Sequence, residues 1–128
     1  MKYTIEHIVH DGEKTDIIFD FGKEHSLISV FLSSECDLLG TFLEHIDLVL
    51  SDKFERAEVS GNICFVEIHK DCSRVEYLYP DEDDEAEGII NEETVSTVEL
   101  KQLIVEFVAK REEFFRLKKL GKGSQTAS

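Results

Sequence analysis

"RAEVSGNICFVEIHKDCSRVEYLY", residues 56–79, holds three apolar runs separated by two turn signals. The runs are Ala57 to Val59, Ile63 to Ile68 and Val75 to Tyr79, and the turns are Ser60-Gly61-Asn62 and Lys70-Asp71. Short runs rich in β-branched and aromatic residues, bounded by glycine, asparagine and aspartate, read as strands. The stretch predicts a three-stranded antiparallel meander and fixes the middle of the chain as β-structure.

Upstream, Tyr3, Ile5, His7 and Val9 alternate onto one face, as do Ile17, Phe19 and Phe21. Asp11-Gly12 lies between them and suits the positive φ angles of a tight hairpin turn. Residues 1–21 therefore predict a β-hairpin. "SLISVFL" at 26–32 is apolar on both faces and reads as a third, more central strand. A helix is expected over about 34–51. Ser33 and Ser34 suit its N-cap, and Glu35 and Asp37 suit its first turn, where the helix dipole favours negative charge. Leu38, Leu39, Phe42, Leu43, Ile46, Val49 and Leu50 then recur at helical spacing. Gly40 inside that helix costs about 1 kcal/mol relative to alanine, and reads as a point of close packing against the sheet.

Downstream, Ser96 and Glu99 have the spacing of a capping box, with Val95 placed to staple onto Leu100. Leu100, Leu103, Ile104, Phe107, Val108, Phe114 and Phe115 form an apolar stripe. A helix over about 97–119 would be roughly 35 Å long, longer than a small domain requires. Its basic end, with Lys110, Arg111, Arg116, Lys118 and Lys119, complements the dipole. "GKGSQTAS" at 121–128 reads as a flexible polar tail. The fold class expected is α+β: one domain over 1–120, an antiparallel sheet of about five to six strands, an early helix and a long C-terminal helix.

Composition narrows the partners. The chain has 128 residues, 41% hydrophobic, with a single proline, which suits a globular domain. Its net charge is −14, from 28 acidic and 14 basic residues. A nucleic-acid binder needs a basic footprint, and an anionic membrane surface would repel this chain. The imbalance is local: residues 1–50 hold 3 basic and 10 acidic side chains, residues 51–94 hold 4 and 14, and residues 95–128 hold 7 and 4. Cys36, Cys64 and Cys72 leave one thiol unpaired in any disulfide scheme, which favours a reducing compartment. "MKYTIEHIVH" lacks the apolar core of a signal peptide, so the expected location is cytoplasmic.

No catalytic signature emerges. The serines fall at expected turns and caps without a nucleophile-elbow context. Cys64 reads as a core residue and Cys72 as a turn thiol. His7 and His10, His69 and Cys72, and Asp16 and Asp20 are thin metal-ligand spacings without a second motif. No phosphate-binding glycine loop is present. Neither a cofactor nor a metal is expected.

What remains is "YPDEDDEAEG" at 79–88, with six carboxylates among seven residues: Asp81, Glu82, Asp83, Asp84, Glu85 and Glu87. Charge runs are usually solvated. This one is bracketed by Tyr77, Leu78, Tyr79, Ile89 and Ile90, and it belongs to a wider acidic field that would attract a cationic partner. The candidate partner-binding residues are these six carboxylates, with Tyr77 and Tyr79 as aromatic anchors.

The pieces "FDFGKEHSLISVFL" (19–32), "RVEYLYPDEDDEAEG" (74–88) and "VSTVELKQLIVEFVAKREEFF" (95–115) together give a layout that resembles the immunity proteins of contact-dependent growth inhibition and related bacterial polymorphic toxin systems. The resemblance covers residues 1–120 in layout and carries no diagnostic motif. It implies a non-catalytic inhibitor that binds one cognate toxin domain, many of which are nucleases with basic clefts, and blocks its active site. An acidic nucleic-acid mimic or adaptor acting on a host DNA- or RNA-binding protein would use the same surface. A small enzyme built on Asp16, Asp20 and a histidine would instead need those groups to converge in a pocket.

Overall fold

The computed structural model describes the backbone of residues 1–127 and the side chains of residues 1–121. Apart from Gly121, the tail expected at 121–128 lies outside the fully described residues. Among the described residues the chain forms six strands and three α-helices. The order is β1 (Thr4–His10), β2 (Glu13–Asp20), α1 (Ser26–Ser34), α2 (Leu39–Leu50), β3 (Arg56–Ser60), β4 (Cys64–His69), β5 (Cys72–Tyr77), β6 (Glu92–Ser96) and α3 (Thr97–Ala127). The class is α+β, with every strand pair antiparallel. The strands are divided between a β1-β2 hairpin and a four-stranded sheet ordered β3-β4-β5-β6.

The hairpin turns where the sequence places it. Asp11 and Gly12 have φ of 51° and 77°, the paired left-handed conformation that a tight hairpin loop demands. The meander follows the expected order, with Val66 opposite both Val59 and Val75. Alternation along β4 buries Cys64, Val66 and Ile68 and turns Phe65, Glu67 and His69 outward.

Two readings are corrected. Residues 26–32 are not a strand but most of α1. Leu27, Ile28, Phe31 and Leu32 are its buried residues, a helical i, i+1, i+4, i+5 spacing hidden inside a continuous apolar run, which periodicity alone cannot resolve. The early helix expected over about 34–51 is α2, which starts at Leu39, and Ser33 and Ser34 close α1 rather than cap α2. Residues 92–96, for which no strand is expected from the sequence, form the fourth strand of the sheet. Val95 opposite Ser73 faces inward there, and Glu93 opposite Val75 bonds His25 Nδ1 at 2.6 Å. Gly40 makes no close approach to the sheet, since a methyl group there would meet nothing within 4 Å.

The core lies between the inner face of the four-stranded sheet and the three helices. Phe31 and Phe42 meet edge-on at 5.0 Å across the α1–α2 corner, and Phe107 of α3 meets Phe19 of the hairpin at 5.0 Å. The axis turns by 113° between Lys23–Ser34 and Leu39–Leu50, and no single helix among the described residues is long and apolar enough to cross a membrane.

The length of α3 has a structural reason. Its first turns cover the sheet and its later turns hold the hairpin. Arg111 grips Asp16 with Nε and Nη2, each at 3.0 Å, Phe114 lies 5.7 Å from the His7 ring, and Lys118 reaches Glu13 at 3.6 Å. Ser96 caps the helix through its Oγ, which accepts from the Glu99 N–H at 3.4 Å. Glu99 turns to the Met1 ammonium at 2.6 Å, so the N-terminus is tied to the start of the last helix.

Candidate functional site

The acidic run connects β5 to β6 as a single helical turn closed at both ends. Asp84 sits three residues after Asp81. Its N–H donates to the Asp81 carbonyl at 3.2 Å, and its Oδ2 reaches back to accept from the Asp81 N–H at 2.8 Å. The second bond is one half of a capping box, with aspartate in the glutamate role, while a backbone bond takes the place of the other half. At the other end Gly88 adopts a φ of 74°. Its N–H donates to Glu85 O at 3.2 Å, and the Ile89 N–H reaches Asp84 O at 2.8 Å. That pair of bonds is a Schellman closure, and the left-handed residue it needs is most cheaply glycine.

The six carboxylates are therefore not equivalent. Asp84 is only 7% exposed, and its Oδ2 accepts from Asn91 Nδ2 at 2.8 Å as well, fastening the turn to the strand that follows. Asp81, Glu82, Asp83, Glu85 and Glu87 point to solvent. Tyr77 is half-buried against the core, and its N–H donates to Asn91 O at 2.8 Å. Tyr79 is 64% exposed and meets Tyr77 edge-on at 6.3 Å. Of the eight candidate residues, six face outward at the turn, Tyr77 forms a wall, and Asp84 holds the turn together.

Between the turn and α1 lies a cleft of about 300 Å³. Leu27, Ile63 and Ile90 line its depth. Val30, Tyr79 and Ile89 form its rim, with Val30 40% and Ile89 47% exposed. Asp81 stands at the same opening. Sequence reading found the tyrosines and the carboxylates but not the α1 side of the cleft, because residues 26–32 read as strand. The helical spacing that places Val30 outward between buried Ile28 and Phe31 was the available signal.

Next to Ile63 of the cleft lies a carboxylate in the interior. Glu35, read as a first-turn acid, is 0% exposed. Its Oε2 accepts from the Asn62 N–H at 2.5 Å and its Oε1 from the Ile63 N–H at 3.1 Å. A buried carboxylate is tolerated when donors converge on it. Here the donors are the turn between β3 and β4, while Asn62 Nδ2 donates to Ser34 O at 3.1 Å. The Ile63 carbonyl in turn accepts from the Leu78 N–H at 2.8 Å. The α1–α2 corner, the β3–β4 turn and the start of the acidic connection are thus one hydrogen-bonded unit.

The Cys64 thiol beside this unit is pushed up to about 11, by burial first and by the Glu35 charge second, with the Ser34 hydroxyl pulling the other way. Cys64 is buried, Cys36 half-buried and Cys72 exposed. Thiolate is the reactive form and an ordinary cysteine ionises near about 8.5, so iodoacetamide at about that pH should alkylate Cys72 first, Cys36 more slowly, and Cys64 only in denaturant. Peptide mapping by mass spectrometry reads the order. Native labelling of Cys64 as fast as Cys72 would contradict the buried placement.

The outer sheet face continues the acidic field. Arg74 bonds Glu67 at 3.0 Å and Glu76 at 2.9 Å, and lies 3.8 Å from Glu92. Hydrogen bonds from His69 and then Arg74 hold the Glu67 carboxyl below the usual carboxylate range. One arginine thus stands among three glutamates at the base of the acidic turn. Three of the other candidate groups have structural partners. Asp16 is held by Arg111, Asp20 Oδ1 accepts from the Gly22 N–H at 2.9 Å, and His69 bonds Glu67 at 2.6 Å. Among the described residues no three histidine, cysteine or carboxylate side chains are grouped to hold a metal.

Comparison of the chain with protein-family models, with curated proteins and with solved structures finds no match.

Proposed function

We propose that this chain is a non-catalytic binding protein that neutralises a basic protein partner, in the manner of the immunity proteins it resembles, by covering the partner's cationic active surface. The single observation that supports this reading most is the closed turn over residues 81–88. A solvated charge run has no need of a side-chain cap at one end and a Schellman closure at the other. This one has its backbone fastened at both ends, so five outward carboxylates project from a closed turn. Glu76 and Glu92 extend the same field onto the sheet. Carboxylates held this way stand in for the phosphates that a nuclease cleft is shaped to receive. They also raise the rate of encounter with a cationic partner, by about ten- to a thousandfold. Tyr79 and Ile89 supply exposed apolar area beside the charge, where binding energy concentrates.

The test is recovery of the partner. Immobilised protein should retain one basic protein from extracts of its source, or a toxin domain encoded beside it, with nanomolar or tighter affinity. Replacing Asp81, Glu82, Asp83, Glu85 and Glu87 by their amides should weaken that retention severely. Each of these surface changes should alter stability by less than about 0.5 kcal/mol. Asp84→Ala should behave differently, because it leaves the Asp81 N–H and the Asn91 amide without an acceptor, a loss of about 1–3 kcal/mol. Turnover of a small substrate by the protein alone would overturn the proposal. Recovery of a host nucleic-acid-binding protein in place of a toxin would transfer the same surface to a nucleic-acid mimic.

A further inference from the structure

We infer that the cleft between α1 and the acidic turn receives one apolar side chain, of leucine or phenylalanine size, projecting from a lysine- or arginine-rich segment of the partner. The inference rests on the reading above and deepens it, since it says what the partner must present. The volume of about 300 Å³ lies at the small end of ligand sites, which run from about 300 to 1,000 Å³, and suits a side chain better than a cofactor. The cleft is lined mainly by apolar side chains, through Leu27, Ile63 and Ile90, and the Asp84 carboxylate and Asn91 amide that also line it are bonded to each other. Its opening carries Asp81 and stands next to the other outward carboxylates of the turn. An apolar pocket with an anionic rim on one side is complementary to an apolar residue with cationic neighbours in sequence.

The walls are formed in advance. Asp84 fixes the turn through Asp81 and Asn91, and Glu35 fixes the Ile63 backbone. An incoming side chain therefore meets a cleft that already exists, and little ordering cost opposes binding. A second copy of the chain is a poor occupant, since two molecules of net charge −14 would bring like carboxylates to the same rim.

Three blocked pentapeptides test this, each with two lysines on either side of a central phenylalanine, leucine or glycine. They are titrated into protein carrying isotope-labelled isoleucine, leucine and valine methyl groups. The phenylalanine and leucine peptides should bind at least roughly tenfold more tightly than the glycine peptide, equivalent to about 1.4 kcal/mol. They should also shift the methyl signals of Val30, Ile63 and Ile89. Val30→Gln, at an exposed helix position, should remove that preference and leave the glycine peptide's binding unchanged, and Ile89→Ser should reduce the preference from the opposite rim. Equal, salt-sensitive binding of all three peptides would overturn the inference while leaving the acidic docking surface intact. Shifts at other methyls, or concentration-dependent broadening of the cleft signals without peptide, would overturn it in favour of another site or a second copy. If no peptide binds and partner association ignores salt, the inference falls together with the reading beneath it.

Discussion

Gly61→Ala should cost about 3 kcal/mol or more, although it adds only a methyl group to a surface turn. A Cβ at residue 61 would overlap the Glu35 carboxylate outright and would stand 3.2 Å from Phe42 Cζ. The backbone there does not need glycine for its conformation, since Gly61 is not among the glycines with positive φ. The requirement is steric. The methyl can be accommodated only if Glu35 swings away, which breaks its bonds to Asn62 and Ile63 and strands a carboxylate in the interior. A charge left unpaired in that way costs about 3–5 kcal/mol. Domains of this kind have only about 5–15 kcal/mol of stability in total. A urea melt against wild type should show a large fall in midpoint. An unchanged midpoint would mean that Glu35 is not held where the structure places it.

Glu35→Ala is the complementary loss. It removes the acceptor of two buried backbone donors, each costing about 1–3 kcal/mol when stranded, and leaves a cavity beside Phe42. A total near 3–5 kcal/mol is expected, about that of breaking a buried ion pair from one side. Glu35→Gln should cost less, because its carbonyl can still serve one donor while its amide faces the other. The two sites should also fail to add. In the double variant the new methyl enters space the carboxylate has vacated, so Gly61→Ala should cost less in the Glu35→Ala background. A coupling of about 0.5–3 kcal/mol is the range for residues in contact. Strict additivity would separate the two residues physically.

Much of the fold was legible in the residues because local chemistry and tertiary packing agreed. Asp11-Gly12 set the hairpin, the alternation of residues 56–79 set the meander, and Ser96-x-x-Glu99 set the start of the last helix. Legibility failed where a local pattern had two solutions. "SLISVFL" suits a buried strand as well as a buried helix. It is a helix because Leu27, Ile28, Phe31 and Leu32 close onto the sheet and the hairpin together. Glu35 shows the same limit in another form. From sequence it is an acid near a helix end; only the fold brings the 60–63 turn over it, 27 residues away along the chain.

The candidate site divides along the same line. The carboxylates and Tyr79 were visible as a composition, but their separation into an inward Asp84 and an outward five depends on a closed turn. That closure was encoded: Asp81 precedes Asp84 by three residues, and Gly88 precedes an apolar Ile89, which is how a short capped helix is written. High acidic content hid it, because a charge run suggests solvent before structure. The cleft was hidden more deeply, since one of its walls came from the segment misread as strand.

The measurement that bears most directly on the function is the association rate with the recovered partner as a function of ionic strength, for wild type and for the variant with the five outward carboxylates amidated. Screening shortens the reach of charge from about 10 Å at 0.1 M salt to about 3 Å at 1 M. If the acidic turn steers docking, the wild-type rate should fall steeply across that range and the amidated protein should start low and respond weakly, with thermal melts of the two nearly superimposed. A wild-type rate that ignores salt, or an amidated protein that associates at the wild-type rate, would contradict the account and show that the turn lies outside the binding surface.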